Sequence, residues 1–159
     1  MSRPLQISVV GAGSEDPELA VLAEEVGRRV AEAGARLVCG GLGGVMAAAS
    51  RGAAKAGGEV VGIVPTAEPG DANPHVTHPV ATGIGQARNL AVVASGDAVI
   101  AVGGAWGTLS EIAFARRLGR PVIGLRTWEL ASASQEAGIE PASDPRAAVA
   151  AALERARGD

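Results

Sequence analysis

Residues 97–111 read Asp97-Ala98-Val99-Ile100-Ala101-Val102-Gly103-Gly104-Ala105-Trp106-Gly107-Thr108-Leu109-Ser110-Glu111. The apolar run predicts a buried strand, and the glycines behind it predict a tight turn. An amphipathic stretch over 109–118 predicts a helix with a hydroxyl and a carboxylate on its first turn. Strand, glycine turn and helix start together make one βα unit. The unpaired N–H groups and positive dipole end of such a helix form a ready anion site. Gly103, Gly104 and Gly107 let the backbone approach a phosphate without side chains in the way.

The same unit recurs along the chain. A strand over 5–10 ends at Gly11-Ala12-Gly13-Ser14, and Asp16-Pro17 then caps a helix. Leu19, Leu22, Val26 and Val30 fall at helical spacing, and Gly34 closes that helix. A strand over 36–39 breaks into Gly40-Gly41-Leu42-Gly43-Gly44, followed by a small-residue helix over 45–56. Gly57-Gly58 leads to a third strand over 59–64. A helix over 84–95 precedes the opening strand, a strand over 122–125 follows it, and Ser143-Asp144-Pro145 starts a terminal helix. Segments 66–79 and 128–141 read as irregular, the first as a surface loop or a lid. Alternating strands and helices imply parallel pairing with right-handed crossovers. The expected fold is therefore α/β: one doubly wound, mostly parallel Rossmann-like sheet flanked by helices, forming a single domain over 1–159. Its ligands should sit beyond the carboxyl ends of the strands.

Composition narrows the function. Apolar residues make up 47% of the chain, yet there is no Tyr, one Phe and two Trp, so Val, Ala, Leu and Ile must build the core. A net charge of −3 argues against general nucleic-acid binding, which depends on a basic surface. Cys39 is the only cysteine, which leaves no internal disulfide and no cysteine metal cluster. His75 and His78 are three apart with no third ligand nearby, so no metal site is expected. Neither a long apolar span nor a signal-peptide pattern appears, and a cytoplasmic protein without a membrane partner is expected.

Four segments, 11–14, 40–44, 83–89 and 103–111, should converge on one edge of the sheet around a phosphorylated small molecule. The candidate ligand set is Gly11, Gly13, Ser14, Gly41, Gly43, Gly44, Asn89, Gly103, Gly104, Gly107 and Thr108. Familiar nucleotide motifs do not fit. Gly11-Ala12-Gly13 begins like a dinucleotide fingerprint, but Asp16 holds the third glycine position and no carboxylate ends the second strand. No Gly-Lys-Ser/Thr sequence exists, and Lys55, the only lysine, lies in an alanine-rich helix away from any Schiff-base setting. Glu111 has two readings. Thr108-Leu109-Ser110-Glu111 has the form of a capping box. Alternatively, the carboxylate stands beside a phosphate-bound sugar, orienting water or stabilising an oxocarbenium-like centre. Arg88 is either a surface arginine or a buried charge whose partner is a phosphate or Glu111. Trp106 either stacks on a base or packs at a subunit interface.

The chain resembles the Lonely-guy (LOG), or "lysine decarboxylase-like", Rossmann proteins, whose signature is Pro-Gly-Gly-x-Gly-Thr-x-x-Glu. The resemblance runs through Val9 to Ser14, Gly40 to Met46, Gly62-Ile63-Val64-Pro65, Arg88 and Gly103 to Glu111. It implies a homodimer or higher homo-oligomer and hydrolysis of the N-glycosidic bond of nucleoside 5′-monophosphates. By position it makes Glu111 the catalytic carboxylate, Arg88 its partner, and Gly104, Gly107 and Thr108 the phosphate cradle. Gly103 stands where the signature has Pro, Ala105 where it has the second Gly, and Asn89 where Lys commonly follows the Arg. These departures look closer to a sister branch that includes molybdenum-cofactor carriers, which bind a phosphorylated pterin without turnover. The resemblance thus implies a bound molybdenum cofactor or nucleotide monophosphate as ligand, with no cofactor required for chemistry.

Overall fold

A computed structural model describes residues 2–158. Seven strands form one sheet: β1 (Gln6–Gly11), β2 (Arg36–Cys39), β3 (Val60–Val64), β4 (His78–Ala81), β5 (Ala98–Val102), β6 (Val122–Leu125) and β7 (Ile139–Pro141). Five helices connect them: α1 (Pro17–Glu32), α2 (Val45–Lys55), α3 (Arg88–Ser95), α4 (Trp106–Arg117) and α5 (Pro145–Ala156). The strand order is β4-β3-β2-β1-β5-β6-β7, and every pairing is parallel. The doubly wound α/β expectation holds.

Alternation along the strands divides the core into two layers. Ile7, Val9, Leu37, Ile100 and Ile123 face α1, α2 and α5, while Val10, Val38, Val99 and Val122 face α3 and α4. Both layers are built almost entirely from Val, Ile, Leu and Ala, as the shortage of aromatics requires. Helices α1 and α2 touch backbone to backbone: a Cβ at Gly27 would lie 1.9 Å from the Ala49 carbonyl oxygen, and one at Gly52 1.9 Å from that of Glu24. Both positions therefore need glycine.

Three local readings are corrected. Segment 66–79 holds a one-turn helix at Pro69–Asp71 and the start of β4, and segment 128–141 ends in β7. Both strands are short sheet edges containing a proline, Pro79 and Pro141, which an edge strand tolerates because one side needs no N–H donor. Proline at those positions is what made them read as loop. Helix α4 begins at Trp106, three residues before the predicted start, with Ala105 as its N-cap.

The chain winds outward from β1 to β4, then returns to the other side of β1 with β5. That reversal opens a crevice at the carboxyl ends of β1 and β5, where ligands of doubly wound sheets bind.

Candidate functional site

A cavity of about 300 Å³ occupies this crevice. The end of β1 and its turn, Val9 to Ser14, form one wall; Gly40, Leu42 and Met46 form the second. Gln86, Arg88 and Asn89 come from the start of α3, and Ala105, Gly107, Thr108 and Glu111 from the start of α4. All four predicted segments thus reach one cavity.

Not every predicted residue lines it. Gly11, Gly13, Ser14, Asn89, Gly107 and Thr108 do, together with Arg88 and Glu111. Gly41, Gly43, Gly44, Gly103 and Gly104 stand behind the lining and shape it. A Cβ on Gly44 would lie 2.3 Å from the Ala12 carbonyl oxygen, so this glycine lets the second turn nest on the first. Gly103 and Gly104 have φ of 57° and 120°, and a Cβ there would strike Leu19 and Thr108 respectively. Leu42, Met46 and Gln86 were absent from the predicted set. Gln86 lies inside the 83–89 segment, and Leu42 inside the second glycine turn, but their types carry no chemical signature of their own.

The amino end of α4 is open. Ala105 is extended (φ −116°, ψ −155°) and no side chain caps the helix. The first intrahelical bond runs from the Leu109 N–H to the Ala105 carbonyl at 3.0 Å. Thr108 is therefore the third residue of the helix, and Glu111 lies in its second turn. The capping-box reading of these two residues is overturned: the helix starts too early for Thr108 to be a cap.

Glu111 is 8% exposed, and its carboxylate makes no hydrogen bond or ion pair with any described residue. Burial raises its pKa from 4.5 to about 7, partly offset by the positive charge of Arg88. Arg88 is 5% exposed and is pinned by other partners. Its Nε donates to the Ile63 carbonyl at 2.9 Å and its Nη2 to that of Gly40 at 3.3 Å, while Nη1 donates to Asn89 Oδ1. Burial lowers its pKa, and the charge of Glu111 opposes that. Arg88 thus ties the ends of β2 and β3 together and holds positive potential in the cavity wall without a hydrogen bond or ion pair to Glu111.

Other predicted features fall elsewhere. Neither His75 nor His78 lines the cavity; His78 Nε2 lies 3.6 Å from Glu59. Among the described residues no group of three His, Cys, Asp or Glu is gathered as for a metal ion. Among the described residues no helix is long and apolar enough to cross a membrane. Trp106 is 76% exposed, outside the cavity, and its ring lies 5.2 Å from that of Trp128.

Comparison with known proteins adds to this geometry. A model of the SLOG cluster4 family matches residues 4–153. An uncharacterised protein of Archaeoglobus fulgidus is 46% identical over 122 residues, covering 77% of this chain and 80% of its own. The molybdenum cofactor binding protein of the phototrophic bacterium Rippkaea orientalis superposes with a TM-score of 0.87 at 35% identity, covering 100% of both chains. The molybdenum cofactor carrier protein of Chlamydomonas reinhardtii superposes with a TM-score of 0.88 at 31% identity, covering 99% of this chain and 100% of that one.

Proposed function

The chain belongs to the SLOG cluster4 family, and from that premise we propose that it binds a phosphorylated pterin-like small molecule, the molybdenum cofactor or a close analogue, without turning it over. The observation that carries this reading is the uncapped first turn of α4 opening into the cavity. Its free N–H groups and dipole would take the phosphate. The family likeness to molybdenum cofactor carriers supplies the ligand class.

The residues present fit such a group. Gln86 and Asn89 offer amides to the polar edge of a pterin, and Leu42 and Met46 offer apolar contact to its faces. The volume lies at the small end of ligand pockets. The lining contains no His or Cys, so the protein would grip the organic part and the phosphate rather than the metal. A neutral Glu111 can stand beside an anion without repelling it.

A second reading is favoured by the same Glu111. A buried, unpartnered carboxylate titrating near neutrality is suited to general acid–base work. In a nucleoside 5′-monophosphate phosphoribohydrolase, water would attack the ribose anomeric carbon and the base would depart with the bond's electron pair and a proton. One experiment separates the two. The protein is titrated with molybdopterin by calorimetry and incubated with AMP and isopentenyladenine riboside 5′-monophosphate. Saturable molybdopterin binding with no free base on chromatography is expected. Base release that disappears in Glu111→Gln overturns the carrier reading.

A further inference from the structure

Three residues outside the cavity hold its wall from behind. The Asn73 N–H donates to the Gly41 carbonyl at 2.8 Å, and its Nδ2 donates to that of Leu42 at 3.0 Å. Thr127 Oγ1 donates to the Gly103 carbonyl at 2.6 Å, and Trp128 Nε1 to that of Ala105 at 3.1 Å. The first turn is tied likewise, its Ala12 carbonyl accepting from the Val45 N–H at 3.0 Å. Each glycine turn therefore has carbonyls occupied by a partner in another segment.

In a trans peptide the carbonyl of one residue and the N–H of the next point in opposite directions, and no cis bond occurs among the described residues. Drawing the Gly41, Leu42, Gly103 and Ala105 carbonyls outward turns the N–H groups of Leu42, Gly43, Gly104 and Trp106 the other way. Asn73 and Trp128 do not line the cavity, whereas Leu42 and Ala105, whose carbonyls their side chains hold, do, so those two carbonyls are drawn away from it. The loop carrying Thr127 and Trp128 is itself bent into place: Arg126 has φ of 53°, the only described non-glycine residue with positive φ. Backbone strain of this kind persists where surrounding contacts over-determine it.

We infer that Asn73 and Trp128 are positioning residues that aim the Gly43 and Trp106 amides toward the cleft by holding the Leu42 and Ala105 carbonyls away from it, and that Thr127 fixes the turn from which the second of these amides projects. The inference rests on the anion-binding reading for its purpose, but not for its geometry. Trp128 also gives Trp106 its place, as the tilted ring partner, at 41°, of an indole that already clamps the turn. A merely structural role would predict lost stability without a change in the turn amides themselves.

The test uses Thr127→Val, Trp128→Phe and Asn73→Ala, with Thr127→Ser as the conservative control that keeps the hydroxyl. Backbone ¹⁵N order parameters are measured in the ligand-free protein, and calorimetry follows molybdopterin and AMP. Thr127→Val and Trp128→Phe should lower the order parameters of Gly104 and Trp106, and Asn73→Ala that of Gly43, while Leu42, held through the Asn73 backbone N–H, serves as an internal control. Each should weaken binding about three- to tenfold, the range of one lost hydrogen bond, while Thr127→Ser matches the parent. If the parent binds neither probe, the functional reading falls, and the order parameters alone decide the positioning role. Unchanged turn amides in all three variants overturn it, whatever happens to thermal stability.

Discussion

Helices α1 and α4 leave the sheet in the same way and finish their amino ends differently. Each follows a glycine turn on one of two paired central strands, β1 and β5. Each has an extended N-cap, Asp16 (φ −144°, ψ 110°) or Ala105 (φ −116°, ψ −155°). In α1 the Asp16 carboxylate accepts from the Glu18 and Leu19 N–H groups at 3.0 and 3.2 Å, and Pro17 removes another donor. Helix α5 is finished the same way, with Asp144 accepting from the Ala147 N–H at 2.8 Å ahead of Pro145. In α4 no side chain performs this task. The strands and glycines bring both α1 and α4 to the crevice, and the cap side chain is the first feature that sets their amino ends apart.

The largest expected effect comes from making α4 resemble α1. Ala105 already has N-cap backbone geometry, so Ala105→Asp would satisfy the first-turn N–H groups internally and put a negative charge at the proposed phosphate site. Loss of two charge-assisted hydrogen bonds corresponds to about 4 kcal/mol, or roughly three orders of magnitude in affinity. Helix capping should meanwhile raise stability by about 1 kcal/mol, a gain of roughly 2–4 °C in Tm. Calorimetry with molybdopterin and differential scanning of the same sample report both. A more stable variant that still binds like the parent would put the ligand elsewhere.

Next in size is Glu111, which sits on the second turn of the uncapped helix and has no counterpart on α1. Below pH 4.5 it is protonated in both folded and unfolded chains and contributes no difference. Between pH 4.5 and 7 the unfolded chain gives up the proton and the folded chain keeps it, so folding weakens as pH rises, reaching a plateau above 7. The penalty is on the order of 3 kcal/mol. Glu111→Gln should therefore be more stable than the parent at pH 8 by up to that amount, and no more stable at pH 4. Urea unfolding at the two pH values measures it. A pH-independent difference would mean that the carboxylate is paired in solution.

The pattern of one apolar run, one glycine turn and one helix, repeated, made the parallel doubly wound sheet and the converging segments legible. Each of those signals is local, and the crossover rule assembles them. Asp16-Pro17 and Asp144-Pro145 were legible as caps for the same reason, since both lie beside the helix they finish. What the sequence hid was of two kinds. The edge strands carry Pro79 and Pro141, so their propensity argues against the pairing that the neighbouring strand supplies. The start of α4 was masked because Thr108 and Glu111 have capping-box spacing, whereas Gly103 and Gly104, at positive φ, turn the chain early and let the helix begin at Trp106. Asn73, Thr127 and Trp128 act across sequence distances of 23 to 32 residues on backbone carbonyls. Such contacts leave no mark in a residue pattern, because any sequence presents the same carbonyl.

The smallest effect sharpens the comparison from the other side. Asp16→Ala uncaps α1 and should destabilise the protein by about 1 kcal/mol, because water replaces part of what an exposed cap supplies. It should leave molybdopterin affinity and a stoichiometry of one per chain unchanged, since Asp16 does not line the cavity and Pro17 still denies that helix end a donor. Uncapping alone is thus predicted to be insufficient: α4 also has Gly107 and Thr108 facing the cavity, Glu111 one turn on, and two clamped carbonyls behind. A second molecule bound per chain in Asp16→Ala would show that a free helix end suffices, and would remove the reason for assigning the clamping loop any role in binding.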